Sequence, residues 1–308
     1  MDRPSIGSSL SLAEVRRQAL QRLEATYPLT EAQAMVRTLL RHFLPGWETL
    51  WLISRGAAPF PADRLPDWEA ALTAAAQGHP LAYILGYTEF LEHRICINPG
   101  VFIPRPETEE WIARTIQHFS ASPPRRLLEV GSGSGALLVA LGKAFPQTTL
   151  FAIDKNPQAI RLTHQNCQAH GLAVFAAVHD FLKAPMPADW ASMQWNLIIS
   201  NPPYVPFADS ELVAPNVRAY EPPEAVFCEE IEFYEQLGKL ALENLSPGGT
   251  LIVELYPPTA DRVRDLYQRF GLTATLYRDL SGRWRWLAAS AKKKVRIFGA
   301  VSGSSSAR

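Results

Sequence analysis

Five short apolar runs recur between residues 126 and 255, separated by stretches of helical character, and nothing else in the chain restricts its fold so strongly. They are RLLEV (126–130), LFAID (150–154), AVFAAV (173–178), NLIIS (196–200) and GTLIVEL (249–255). A strand that is apolar without alternation buries both faces, which requires a mainly parallel sheet with helices on each side. Nearer the C-terminus, TATLYRDL and RWRWLAAS flank Ser281-Gly282, a two-residue turn that makes them an antiparallel pair.

Residues 1–86 read differently. Ser11 to Glu14 and Thr30 to Gln33 each fit a capping box ahead of a helical apolar pattern, and Pro66 to Gln77 suits a further helix ending at Gly78. No strand pattern intervenes, so this is a small helical-bundle domain. Tyr87 to Asn98 alternates apolar and polar residues around a turn near Glu92-His93, the pattern of a hairpin. The expected organisation is a helical domain over 1–86, a hairpin linker over 87–101 and an α/β domain over 102–291. Residues 292–308, basic and then Ser-rich, are expected to be a frayed tail.

The first run leads straight into Gly131-Ser132-Gly133-Ser134-Gly135 and then a helix. Glycines there allow a tight turn and close approach of a ligand to the backbone, while the helix start offers free amides. Nineteen residues beyond Gly135, Asp154 ends the second run, where a carboxylate can accept both hydroxyls of a ribose. A nucleoside-containing cofactor is expected. Gly131-x-Gly133-x-x-Ala136 also satisfies the dinucleotide pattern, which keeps a NAD-dependent oxidoreductase open. No Lys-Ser/Thr follows the glycines and no serine centres them, which excludes a P-loop and a hydrolase elbow. Asp180, after the third run, could meet an adenine amino group or cap the next turn.

The fourth run stops on Asn201-Pro202-Pro203-Tyr204. Prolines stiffen the backbone and cannot continue a ladder, so Asn201 is held at a strand end, where open α/β sheets bind ligands. If the nucleoside cofactor is S-adenosylmethionine, the Asn201 side-chain oxygen and the Pro202 carbonyl form two fixed acceptors for a planar NH2. Tyr204 can stack on that group. An adenine-N6 nucleic-acid methyltransferase would need the same clamp. A catalytically silent binding module would not.

With 30 basic and 30 acidic residues the formal net charge is zero, which argues against a chain whose main task is gripping nucleic acid. There is no signal-peptide core and no run of eighteen apolar residues, so a soluble, cytoplasmic protein is expected. Three distant cysteines make no disulfide framework. His164, Cys167 and His170 lack a fourth ligand at a recognisable spacing, and no metal is expected.

These residues resemble one family closely: the N5-glutamine methyltransferases of peptide chain release factors, called PrmC or HemK. The likeness runs over about residues 10–290 and includes IPRPETE (103–109), LLEVGSGSGA, AID, SNPPYV, VRAYEP (217–222) and LSPGGTLIVEL. It implies a class I S-adenosylmethionine-dependent methyltransferase fold, Rossmann-like, with an antiparallel last strand. It further implies methylation of the glutamine amide in the Gly-Gly-Gln loop of class 1 release factors, with S-adenosylhomocysteine as product. By match of motif, Gly131, Ser132, Gly133, Ser134, Gly135, Asp154, Asp180, Phe181 and Asn201 are expected to bind cofactor. Asn201, Pro202 and Tyr204 are expected to be catalytic, with Pro203 joining them against the substrate. The helical domain would help hold the release factor; a monomer without nucleic-acid or membrane partners is expected. Two departures stand out: Glu129 where aspartate is commoner, and Phe181 for a frequent tryptophan. The stretch between Phe181 and Asn201 is long enough to be a surface insertion. Arg105 and Glu107 are left between a salt-bridged entry and direct ligand contact, and Arg218 with Glu221 reads as a structural pair.

Overall fold

The computed structural model describes residues 10–229 and 231–291 of the 308, so the expected tail at 292–308 lies outside the described residues. The chain divides into two compact units, Met1–Gly86 and Tyr87–Arg308.

The first unit is helical: α1 (Leu12–Leu23), α2 (Leu29–Phe43), α3 (Trp47–Ser54), α4 (Leu65–Ala76) and α5 (Leu81–Leu85). At α1 the capping box forms as its sequence dictates. Ser11 Oγ accepts the Glu14 N–H at 3.3 Å, and Glu14 Oε2 accepts the Ser11 N–H at 2.8 Å. The second box does not form. Pro28 already sits at φ −55°, the chain enters α2 directly behind it, and Thr30 falls inside the first turn with no side-chain cap. The apolar stripes of α1, α2 and α4 meet around Trp68, which is 1% exposed and lies edge-on to Phe43 at 5.9 Å.

The second unit opens with a hairpin, β1 (Tyr87–Phe90) and β2 (His93–Cys96). Its turn residues Leu91 and Glu92 take φ of 45° and 65°. That is the left-handed pair a tight two-residue hairpin requires. One side chain fastens the hairpin's exit. Asn166 accepts the Cys96 N–H at 2.8 Å and donates to the Cys96 carbonyl at 3.0 Å and the Ser134 carbonyl at 2.8 Å.

Helix α6 (Pro106–Phe119) then precedes an alternation of β3 (Arg126–Val130), α7 (Ala136–Ala144), β4 (Thr149–Asp154), α8 (Pro157–Ala169), β5 (Val174–Val178) and β6 (Trp195–Ser200). A short excursion follows, with β7 (Val205–Pro206), α9 (Pro215–Tyr220), α10 (Pro223–Val226) and β8 (Phe227–Cys228). Helix α11 (Glu232–Asn244), β9 (Leu245–Glu254), α12 (Ala260–Arg269), β10 (Leu272–Arg278) and β11 (Trp284–Ala291) complete the unit. The seven-stranded sheet has the order β10-β11-β9-β6-β3-β4-β5. Pairings from β9 to β5 are parallel, and β11 runs antiparallel to both β9 and β10.

Burial explains the unalternating runs in the middle of the sheet; the edge strand β5 departs from the expectation, with Phe175 59% and Val178 54% exposed. Leu197, Ile198 and Ile199 in β6, and Leu251, Ile252 and Val253 in β9, are each 0% exposed, so both faces of these strands are covered. Each such side chain contributes about 1.5–3 kcal/mol of transfer free energy. The stretch between Phe181 and Asn201 is not a detached insertion. Trp190 packs edge-on against Phe151 at 5.3 Å, and Asn244 Nδ2 donates to the carbonyls of Ala191 and Met193.

Strand order decides where a site can lie. From β3 the chain moves outward through β4 and β5, then returns to place β6 on the other flank of β3. The loops leaving β3 and β6 therefore diverge and open a crevice at the carboxyl ends of these neighbouring strands.

Candidate active site

A cavity of about 340 Å³ fills that crevice. Three glycines shape the loop that borders it: Gly131, Gly133 and Gly135 take φ of 76°, 54° and 77°. At Gly135 the demand is also one of space. A Cβ there would lie 3.0 Å from the Thr163 Cα, so α8 can pack against the loop only over a glycine. Gly131 and Ser132 both donate to the Ile153 carbonyl at the end of β4, at 2.8 and 3.2 Å. Ser200 at the end of β6 donates to the Val130 carbonyl at 2.7 Å, which locks the clamp strand to the loop strand.

Of the residues the sequence marks, Gly131, Ser132, Gly133, Ser134, Asp154, Asp180, Phe181, Asn201 and Pro203 border the cavity. Gly135, Pro202 and Tyr204 are not part of its lining. Gly135 backs onto Thr163, and Pro202 is buried. The ring of Tyr204 stacks on Tyr256 at 6.2 Å and 11°, and its hydroxyl donates to Glu254 Oε1 at 3.3 Å.

Asp154 is tied in place. Its Oδ2 accepts the Gly133 N–H at 2.9 Å and its Oδ1 the Asn156 N–H at 2.8 Å. Burial raises its carboxyl above the ordinary aspartate range, and these two N–H groups oppose the rise. Each oxygen keeps a further lone pair for a ligand hydroxyl. Asp180 Oδ1 accepts the Leu182 N–H at 3.2 Å, so it caps the following turn as well as bordering the cavity. Phe181 leans on Phe233 at 5.4 Å, and both rings border the same space.

Asn201 Nδ2 donates to Thr108 Oγ1 at 3.3 Å, and Thr108 donates in turn to Glu254 Oε2 at 2.6 Å. The Trp111 indole N–H reaches the same oxygen at 2.9 Å. Glu254 is 1% exposed. Burial raises its carboxyl above the usual range, against the pull of these donors and of the Arg285 charge. Sequence reasoning did not single out Thr108 or Glu254. Two signals point to them: Thr108 lies within the IPRPETE stretch, and Glu254 is a carboxylate inside the apolar run GTLIVEL, where a charge must find donors. A second pairing also differs from expectation: Glu221 does not pair with Arg218. Its Oε1 meets Arg105 at 2.5 Å and its Oε2 accepts the Ile103 N–H at 3.2 Å, while Arg218 pairs with Glu211 at 2.9 Å. Helix α9 ends at Tyr220, so Glu221 leaves that helix and turns back to the strand-like entry at 103–105. Glu107 is exposed at the start of α6.

Two family models match the chain: the PrmC N-terminal domain over residues 14–86 and the methyltransferase small domain over residues 92–216. The release factor glutamine methyltransferase of Deinococcus radiodurans is 32% identical over 283 residues, covering 91% of this chain and 98% of the relative. That of Geobacter sulfurreducens is 33% identical, over 73% of this chain and 81% of the relative. That of Koribacter versatilis is 30% identical, over 83% and 90%. The chain belongs to the release factor glutamine methyltransferase family. It is a methyltransferase, and its cofactor is S-adenosylmethionine.

The cavity suits a cofactor of this family, which carries a sulfonium and an ammonium group. Glu129 borders the cavity at 1% exposure, and its Oε2 has no hydrogen-bond partner within the protein. A buried carboxylate oxygen without a partner is costly, and a ligand cation satisfies it. Asp154, Asp180, Glu224 and Glu232 border the same space, so the charged residues of the lining are predominantly acidic. In the free protein, burial and the nearby Asp154 charge push the Glu129 carboxyl well above its ordinary 4.5. The folded state therefore binds this proton more tightly than the unfolded chain, and stability falls as pH rises from the ordinary value toward the raised one. Glu129→Gln removes that loss. Thermal melts of the ligand-free proteins are expected to show a stability advantage for the variant that grows above about pH 4.5 and vanishes below it. A gap independent of pH would mean that Glu129 keeps an ordinary carboxyl.

Proposed function

We propose that this chain methylates the side-chain amide nitrogen (N5) of the glutamine in the Gly-Gly-Gln loop of class 1 peptide chain release factors, yielding S-adenosylhomocysteine. The observation that supports this most directly is the position of Asn201. It lies at the carboxyl end of β6, bordering the same cavity as the glycine loop of β3.

When bound, the cofactor would supply a methyl group already activated on a sulfonium, so the protein need not donate a proton; as the N–C bond forms and the C–S bond breaks, the amide nitrogen gives up one proton, which passes to solvent. Gly131 to Gly135 and Asp154 hold the ribose and methionine portions, and Asp180 with Phe181 forms the adenine wall. Asn201 Oδ1 and the Pro202 carbonyl each accept one hydrogen of the substrate carboxamide. Pro202 and Pro203 keep these acceptors from yielding. An amide nitrogen is a poor nucleophile because its lone pair is delocalised. Two fixed acceptors favour a pyramidal nitrogen, and alignment of this kind can be worth about 7–11 kcal/mol. Tyr204, with its hydroxyl on Glu254, steadies the clamp from behind instead of stacking on the substrate. The helical domain, residues 1–86, helps hold the release factor, and the hairpin over 87–101 leads into the catalytic domain over 102–291. Work of this kind belongs in the cytoplasm; among the described residues no helix is long and apolar enough to cross a membrane.

An exocyclic adenine amine would fit the same two acceptors. The zero net charge and the family membership weigh against a nucleic-acid substrate. The deciding test offers methyl-labelled S-adenosylmethionine with a class 1 release factor and duplex DNA side by side. Label is expected on the release factor, and none when its loop glutamine is changed to alanine. Label on DNA alone would overturn the proposal.

A further inference from the structure

The two ends of the Asn201 amide do opposite things: Oδ1 accepts hydrogen bonds and Nδ2 donates them. Which end faces the cavity decides whether the clamp welcomes an N–H or opposes it. Thr108, which borders the same cavity, controls this choice through its hydroxyl. Its Oγ1 lies 2.6 Å from Glu254 Oε2 and 3.3 Å from Asn201 Nδ2. Glu254 is surrounded by donors: the Trp111 indole N–H at 2.9 Å on Oε2, and the Tyr204 hydroxyl at 3.3 Å on Oε1. An indole N–H can only donate, so Glu254 Oε2 serves as an acceptor, and it accepts from the Thr108 hydroxyl as well. The single hydroxyl hydrogen of Thr108 is thus committed to Glu254, and Thr108 turns a lone pair toward Asn201. The amide must answer with its NH2, which leaves Oδ1 for the other side. Reversal would set the Asn201 oxygen against the Thr108 lone pair, two acceptors in a part-buried site.

We infer that Glu254, acting through Thr108, is a positioning residue that orients the Asn201 amide so that its oxygen meets the incoming carboxamide N–H. This rests on the role of Asn201 proposed above. Glu254 reaches Asn201 across 53 residues of sequence; it does not border the cavity itself but bonds Thr108, which does. Its bond to Tyr204 is a second link to the clamp, and the Thr108 variants separate the route through Asn201 from that one.

The test compares Thr108→Val, which keeps the branched shape and loses the hydroxyl, with Thr108→Ser, which keeps the hydroxyl. Glu254→Gln and the Thr108→Val/Glu254→Gln double variant complete the set. Thr108→Val is expected to lower kcat at least about tenfold, with KM for the release factor and Kd for S-adenosylhomocysteine within about threefold of wild type. Thr108→Ser should stay within about threefold on all counts. Glu254→Gln should resemble Thr108→Val, and the double variant should lose no more than the worse single one. A nitrogen-15 spectrum of the free enzyme adds a readout that does not depend on turnover. The Asn201 NH2 pair, identified by its disappearance in Asn201→Ala, should move in Thr108→Val and Glu254→Gln and hold still in Thr108→Ser.

Undiminished kcat in Thr108→Val would overturn the inference. So would a Thr108→Ser as impaired as Thr108→Val, which would mean methyl packing matters and the hydroxyl does not. Multiplying losses in the double variant would overturn it too. Should Thr108→Val fail to fold, Glu254→Gln with the nitrogen-15 readout decides. If wild-type enzyme labels no release factor, the proposed function falls, and the spectrum still tests the amide orientation.

Discussion

Replacing Asn201 by alanine is expected to cut turnover at least about a hundredfold, with cofactor affinity within a few fold of wild type. Asn201 stands at the end of β6 beside the glycine loop, and Ser200 just before it is bonded to Val130, so the backbone of the clamp does not depend on the asparagine side chain. The variant should keep its fold and its cofactor cavity. What it would lose, on the function proposed above, is one of two acceptors that present an amide nitrogen to the methyl group. Loss of a single preorganised polar group at a reacting centre commonly costs a factor of about 10²–10³ in kcat. Single-turnover methylation of a release factor, run beside titration with S-adenosylhomocysteine, separates the two effects. Near-normal turnover would end the argument that the amide side chain serves the reaction.

Asp154→Ala is expected to fail at the opposite step: cofactor affinity should drop roughly a hundredfold, through loss of hydrogen bonds to a charged group worth about 1.5–3 kcal/mol each. The carboxylate has two duties. It holds the Gly133 and Asn156 backbone N–H groups, and its remaining lone pairs face the cavity. Alanine leaves both N–H groups without their partner, so the glycine loop loosens as the ribose loses its acceptor. Calorimetric titration with S-adenosylhomocysteine is the direct check. At saturating cofactor much of kcat should return, because Asn201 and its supports are untouched. An affinity within about threefold of wild type would show that Asp154 only ties the loop.

The fold was legible because a buried parallel sheet writes itself as unbroken apolar runs, and β3, β4, β6 and β9 lie under the runs read from sequence. Caps were legible where chemistry is local, as at Ser11 and Glu14. At Thr30 the local signal misled, because Pro28 had already settled the helix start. The glycine loop, Asp154 and Asn201 announce themselves by following strands directly. The supports behind Asn201 do not. Glu254, Thr108 and Trp111 come from two elements that meet only in the folded chain, with separations of 146 and 143 residues. The partner of Arg105 lies 116 residues away at Glu221, beyond what the local Arg218-Glu221 spacing could disclose. Tyr204 looks in sequence like a ring for the substrate. Its hydroxyl, needing a partner once half-buried, is drawn to Glu254 instead.

The three hydrogen bonds of Asn166 carry a consequence for how the chain assembles. The hairpin that opens the second unit and the glycine loop after β3 share this one amide, which lies 70 residues beyond Cys96 and 32 beyond Ser134. Neither can settle early: the glycine loop reaches its final shape only after the chain has closed a long loop and delivered α8 to the hairpin, and such closures are slow relative to local helix formation. Competence to retain the methyl donor should thus arrive among the last events of folding.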